Sequence, residues 1–121
     1  MRKLPLIALA LLAAVPAQAA GPSFSCARAT GADERAICRS PTLSAQDRQL
    51  ARVYNDVQHC TAMGGRGANI DDQRDWLQAR RRCGGDRACL SNLYRVRINQ
   101  FAPMAVKARR YLKAGDCPRP L

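Results

Sequence analysis

Six cysteines, one histidine and a few clustered carboxylates are the side chains with which this chain of 121 residues could do chemistry. Cys26, Cys38, Cys60, Cys83, Cys89 and Cys117 could hold a metal, attack a substrate or pair as disulfides. Structural zinc takes four ligands, commonly as closely spaced pairs. No C-x-x-C occurs, and His59, the only histidine, sits beside Cys60 without a second ligand nearby, so neither a metal nor another cofactor is expected. Nucleophilic and acid–base catalysis need convergent groups. Asp71 and Asp75 could share a helical face, but in a first turn they act as dipole-stabilising residues. The run Met63-Gly64-Gly65-Arg66-Gly67-Ala68 has no preceding strand and no G-K-[ST] ending, both of which a phosphate cradle requires. These residues point away from an enzyme. An even cysteine count in an exported chain signals oxidised pairs, and three disulfides are the expectation.

Export is read from the N-terminus. Arg2 and Lys3 precede an apolar run from Leu4 to Val15, and Ala17-Gln18-Ala19 forms a small-x-small cleavage site, the pattern of a signal peptide. The apolar run is about a dozen residues, whereas a hydrocarbon span takes roughly 20. Residues 1–19 are therefore expected to be removed. Residues 20–121 then form one domain in the periplasm or outside the cell, with no transmembrane span in the mature form. Taking Arg2 and Lys3 from the 20 basic residues leaves 18 against 9 acidic ones, a net charge of +9. Such a field favours anionic partners. Nucleic acid is not favoured, because the few aromatic residues do not alternate with arginine in a stacking pattern.

The elements that must position these residues read as helices. Asp33 and Glu34 suit the N-terminus of a short helix before Cys38. Ser40-Pro41 is a helix start, the serine capping and the proline supplying a preset φ. Leu43, Leu50, Tyr54 and Val57 then fall on one helical face, with Arg48, Arg52 and Asn55 turned away. Asp47 lies on that apolar stripe, so it is expected at a rim or paired with a cation from another helix. The glycines between Met63 and Ala68 are expected to break the helix into a mobile loop. Asn69 or Asp71 would cap the next helix, which runs to Cys83 and stops at Gly84-Gly85. Asp86 caps a last helix carrying Leu90, Leu93, Tyr94, Arg97, Ile98 and Phe101 at three-and-four spacing. Pro103 should kink or interrupt that helix before Gly115 ends it. No stretch alternates with period two, so the fold class is all-α: a small disulfide-stapled domain of three to four helices.

One combination of residues is specific enough to carry a resemblance. It consists of Cys26-x11-Cys38 with Glu34, Ile37, Pro41, Leu43, Asp47, Leu50 and Tyr54, followed by Gln73-x2-Trp76-Leu77-x2-Arg80-x2-Cys83-x5-Cys89-Leu90-x3-Tyr94-x2-Arg97-Ile98. This pattern resembles the LprI-like lysozyme-inhibitor family of bacterial envelope proteins, over roughly Phe24 to Phe101. The resemblance implies pairing of Cys26 with Cys38 and of Cys83 with Cys89, which leaves Cys60 and Cys117 for each other. It also marks Asp47, Gln73, Arg80 and Arg97 as polar residues on or beside apolar faces. We read them as an internal network in which Asp47 pairs with Arg97 or Arg80, while Trp76, Tyr54 and Tyr94 supply core area.

Two functions follow as expectations. The resemblance implies a non-catalytic binding protein that inhibits lysozyme or a related cell-wall hydrolase. A net charge of this sign gives no steering toward a basic lysozyme, although Asp71, Asp72 and Asp75 could form a local acidic patch. The alternative is an envelope accessory module holding an anionic surface or an acidic protein through two basic clusters, Arg80-Arg81-Arg82 and Arg109-Arg110.

Overall fold

A computed structural model of the chain describes residues 20–117; the signal peptide expected over residues 1–19 lies outside the described residues. Within them the fold is all-α. A 3-10 turn at Cys26–Arg28 leads into α1 (Ala32–Arg39), α2 (Pro41–His59), α3 (Met63–Arg82) and α4 (Arg87–Ala114). The caps explain most of the boundaries. Ser40 Oγ accepts from the Leu43 amide at 3.2 Å with Pro41 in the first helical position, and Asp86 Oδ1 accepts from the Cys89 amide at 3.0 Å. Gly115 closes α4 in the left-handed region at φ 69°, where a residue with a Cβ is strained.

The core is a parallel pair. Gln46 meets Ser91, Tyr54 meets Phe101 and Asp56 meets Arg109, so residue numbers rise together along α2 and α4. Leu43, Leu50, Val53 and Val57 pack against Leu90, Tyr94, Ile98, Phe101 and Ala105. Antiparallel to both, α3 places Asn69 at Gln58, Asp72 at Arg97 and Arg80 at Asp33. Its only buried residues are Trp76 and Arg80. At the far end α1 closes the bundle with Ala36 and Ile37.

Three disulfides join Cys26 to Cys38, Cys60 to Cys117 and Cys83 to Cys89. With sequence separations of 12, 57 and 6, loop closure makes the long bridge worth about 4 kcal/mol and each short one about 2 to 3. The first ties the leading segment to α1, the second ties the end of α2 to the residues after α4, and the third staples the corner between α3 and α4.

Three expectations are corrected. The glycine run is not a loop: Met63 begins α3, the turn is confined to Cys60–Ala62, and neither Asn69 nor Asp71 caps the helix, because both lie inside it. Side chains explain why glycine propensity loses. Arg66 Nε donates to the Gln58 carbonyl at 2.8 Å, and Asn69 Nδ2 donates to Gln58 Oε1 at 2.9 Å. These bonds clamp the first turns of α3 to the end of α2. Gly65 permits the approach, since a Cβ there would lie 2.7 Å from Thr61 Cγ2. Of the kink or interruption expected at Pro103, the interruption does not occur, since α4 runs unbroken from Arg87 to Ala114. Pro103 is exposed, as is Asn99, whose carbonyl loses its amide partner and can be hydrated instead.

Candidate functional site

Two of the four polar residues on or beside the apolar faces, Asp47 and Arg80, converge on Tyr94. Its ring is fully buried on α4, edge-on to Trp76 at 5.1 Å between centroids. Its hydroxyl donates to Asp47 Oδ1 on α2 at 2.8 Å and accepts from Arg80 Nη1 on α3 at 3.5 Å. Arg80 Nε in turn donates to Asp33 Oδ2 on α1 at 2.8 Å, and its guanidinium lies 5.5 Å from the Phe24 ring. The other oxygen of Asp47 accepts from the Ser23 amide and hydroxyl, both at 2.6 Å. One connected chain of hydrogen bonds therefore runs from Ser23 through Asp47, Tyr94 and Arg80 to Asp33, touching the leading segment and all four helices. Burial, reinforced by the Asp47 charge, pushes the Tyr94 hydroxyl well above its ordinary range, so the phenol stays protonated and keeps its donor role.

Asp47 does not pair with an arginine, contrary to the sequence expectation. Tyr94 stands between it and Arg80, and the carboxylate of Asp33 takes the guanidinium instead. Arg97 reaches α3 about two turns nearer its start, on the same face as Arg80. It donates to Asp72 Oδ2 at 2.5 Å and to Gln73 Oε1 at 3.0 Å, with its guanidinium 4.6 Å from the centre of the Phe101 ring. Two separate polar clusters thus replace the single one expected. Asp33 and Ser23 were not anticipated as members. The signal for Asp33 was present: it precedes Ala36 and Ile37 by three and four residues, which places it on the buried face of α1.

The basic clusters are also divided. Arg80 is 6 % exposed and engaged with Asp33, so it cannot contact a partner, whereas Arg81 and Arg82 are exposed. Arg109 donates to Asp56 Oδ2 at 2.7 Å, while Arg110 is exposed. The acidic group is partly engaged: Asp71 pairs with Arg74 and Asp72 with Arg97, and Asp75 is exposed. His59 Nδ1 lies 2.8 Å from the Asn55 carbonyl on its own helix. Among the described residues, no three His, Cys, Asp or Glu side chains gather as a metal site requires.

Glu34 performs a local task. Its Oε2 accepts from the Thr30 and Gly31 amides at 2.9 and 3.3 Å, and these bonds hold its carboxyl below the ordinary value of 4.5. An open depression of about 220 Å³ lies where α2 ends against α4, lined by Val57, Cys60, Thr61, Met104, Lys107 and Tyr111. It is smaller than the 300 to 1,000 Å³ or so of a drug-sized ligand site. No helix among the described residues is long and apolar enough to cross a membrane. Comparison with family models, curated proteins and solved structures finds no match to this chain.

Proposed function

We propose that this chain is a non-catalytic binding protein that works in the periplasm or outside the cell and acts through its surface on a cell-wall hydrolase. The observation that carries this reading is the Tyr94 chain. The polar residues shared with the LprI-like pattern, Asp47 and Arg80, bond to Tyr94, and Arg97 bonds across to α3. Their role is to hold helices in register, which leaves recognition to exposed residues. Three disulfides and the signal-peptide pattern support work in an oxidising compartment. Lysozyme is the partner class the resemblance supplies, and charge restricts it. A domain this basic meets an acidic contact face with steering and a basic lysozyme without it.

The test is a turbidity assay of cell-wall lysis with the oxidised protein, run against a basic lysozyme and against acidic cell-wall hydrolases at low and moderate salt. Protection at micromolar excess is expected, stronger for the acidic enzymes and weakened by salt. Lysis proceeding at the unprotected rate for every enzyme would remove the hydrolase reading.

A further inference from the structure

The carboxylates of this protein are largely turned to internal use. Asp33, Asp56 and Asp72 pair with Arg80, Arg109 and Arg97, while Asp47 is held by Ser23 and Tyr94. Glu34 and Asp86 accept from amides at helix starts. The excess positive charge is left to the outside, and one element concentrates it. Over its 28 residues α4 carries seven cations and no carboxylate. Only Arg97 and Arg109 of the seven have an acidic partner among the described residues.

Four of the five other cations lie on or beside one line along the helix. Val96, Asn99, Pro103, Val106, Arg110 and Lys113 follow one another at spacings of three, four, three, four and three, and all are exposed. At 100° per residue this line lies opposite the buried face formed by Tyr94, Ile98, Phe101, Ala105 and Ala108. Arg95 borders it on one side and Lys107 on the other. Val96 and Val106 are 44 % and 45 % exposed, two apolar side chains set among cations. From Arg95 to Lys113 the stripe is about 27 Å long. The last turns of α4 also run past the end of α2, because the Cys60 sulfur lies level with the Ala108 carbonyl at 3.6 Å.

We propose that this outer face of α4 docks flat on an anionic lipid bilayer surface. Charge complementarity sets the sign of the partner, and the form of the stripe sets its kind. The line is the outward face of a single helix, and the one shallow depression beside it, which Lys107 helps to line, lies where α2 ends against α4, so the line itself offers little to grip a specific side chain but matches a plane of phosphates. Lysine and arginine stems can lie along such a plane with their charges at the headgroups, while the valines enter between them. Each cation held near an anionic surface adds to affinity, and the attraction decays within a Debye length. The proposal does not rest on the hydrolase reading, and either can fail alone.

The experiment is co-sedimentation of the oxidised protein with vesicles of phosphatidylcholine alone and of equimolar phosphatidylcholine and phosphatidylglycerol. Binding to the anionic vesicles only is expected, weakening as salt rises. The variant R95Q/K107Q/R110Q/K113Q should bind at least about tenfold more weakly. A control with the same loss of charge elsewhere, R28Q/R39Q/R52Q/R82Q, should stay within about threefold of the wild type. V96S/V106S should weaken the binding that survives moderate salt. All of these positions are exposed, and far-ultraviolet circular dichroism verifies folding. No sedimentation with anionic vesicles would overturn the proposal. So would equal losses in the two charge variants, which would make net charge the cause. Retention on soluble heparin without vesicle binding would overturn the proposal in favour of an anionic polymer, and V96S/V106S binding as wild type at moderate salt would overturn docking by this face of α4.

Discussion

Asp33 is the residue whose loss should be felt most sharply. Its carboxylate is 3 % exposed and holds the buried guanidinium of Arg80. Asp33→Ala leaves that charge with only the more distant Glu34 Oε1, 3.9 Å from Arg80 Nη2, and should cost about 3 kcal/mol in urea unfolding; a loss below about 1 kcal/mol would show the pair to be dispensable. Gly31 belongs to the same arrangement, since a Cβ there would lie 2.5 Å from Asp33 Oδ1. Glu34 acts through pH. Its folded pKa lies below the unfolded value of 4.5, so its contribution is present above that value and lost as pH falls through the folded pKa. Glu34→Gln should therefore be less stable than wild type at about pH 7, with the gap closing as the pH falls below the ordinary value of 4.5 and through the lowered folded pKa. A gap independent of pH would contradict the assignment. At this scale the sequence was legible for the caps Ser40 and Asp86, whose side chains act on amides three residues away. It was less legible for Asp47, because the choice between Arg80, Arg97 and a tyrosine depends on how the helices cross.

Among the elements, α3 is the one whose extent departs from its composition. Gly64 and Gly67 have open space around the position of an added Cβ, so Gly64→Ala and Gly67→Ala should each stabilise the fold by about 0.5 to 1 kcal/mol. Gly65→Ala should destabilise it. The added methyl meets Thr61, whose hydroxyl is anchored on the Val57 carbonyl at 2.6 Å. Thermal melts of the three variants check the signs, and three equal shifts would mean that Thr61 does not constrain the turn. The helices α2 and α4 were legible because each buries a stripe long enough to show its period. The start of α3 was not, because it is built on hydrogen bonds from Arg66 and Asn69 to Gln58, which carry no periodic signal. That Pro103 does not end the helix was hidden for a related reason: its cost depends on which side of the helix it occupies, and here that side is solvent.

At the scale of the whole molecule, one polar chain and three disulfides connect what a modest apolar core brings together. The bridges act on the ends of the helices. Tyr94 acts in the middle, where α2, α3 and α4 meet and where Asp33 and Ser23 bring in α1 and the leading segment. The all-helical class was legible from apolar periods, but the Tyr94 centre was not, because its members come from five separate stretches of chain. The central claim is that these residues form a framework that supports an external binding surface. Tyr94→Phe tests it most directly, since it removes one hydroxyl and no packing volume, leaving Asp47 Oδ1 without its donor. The loss of a buried hydrogen bond of this kind is about 1 to 3 kcal/mol, so the melting temperature should fall by at least about 4 °C with helical content unchanged below the transition. A melting temperature within about a degree of wild type would contradict the account.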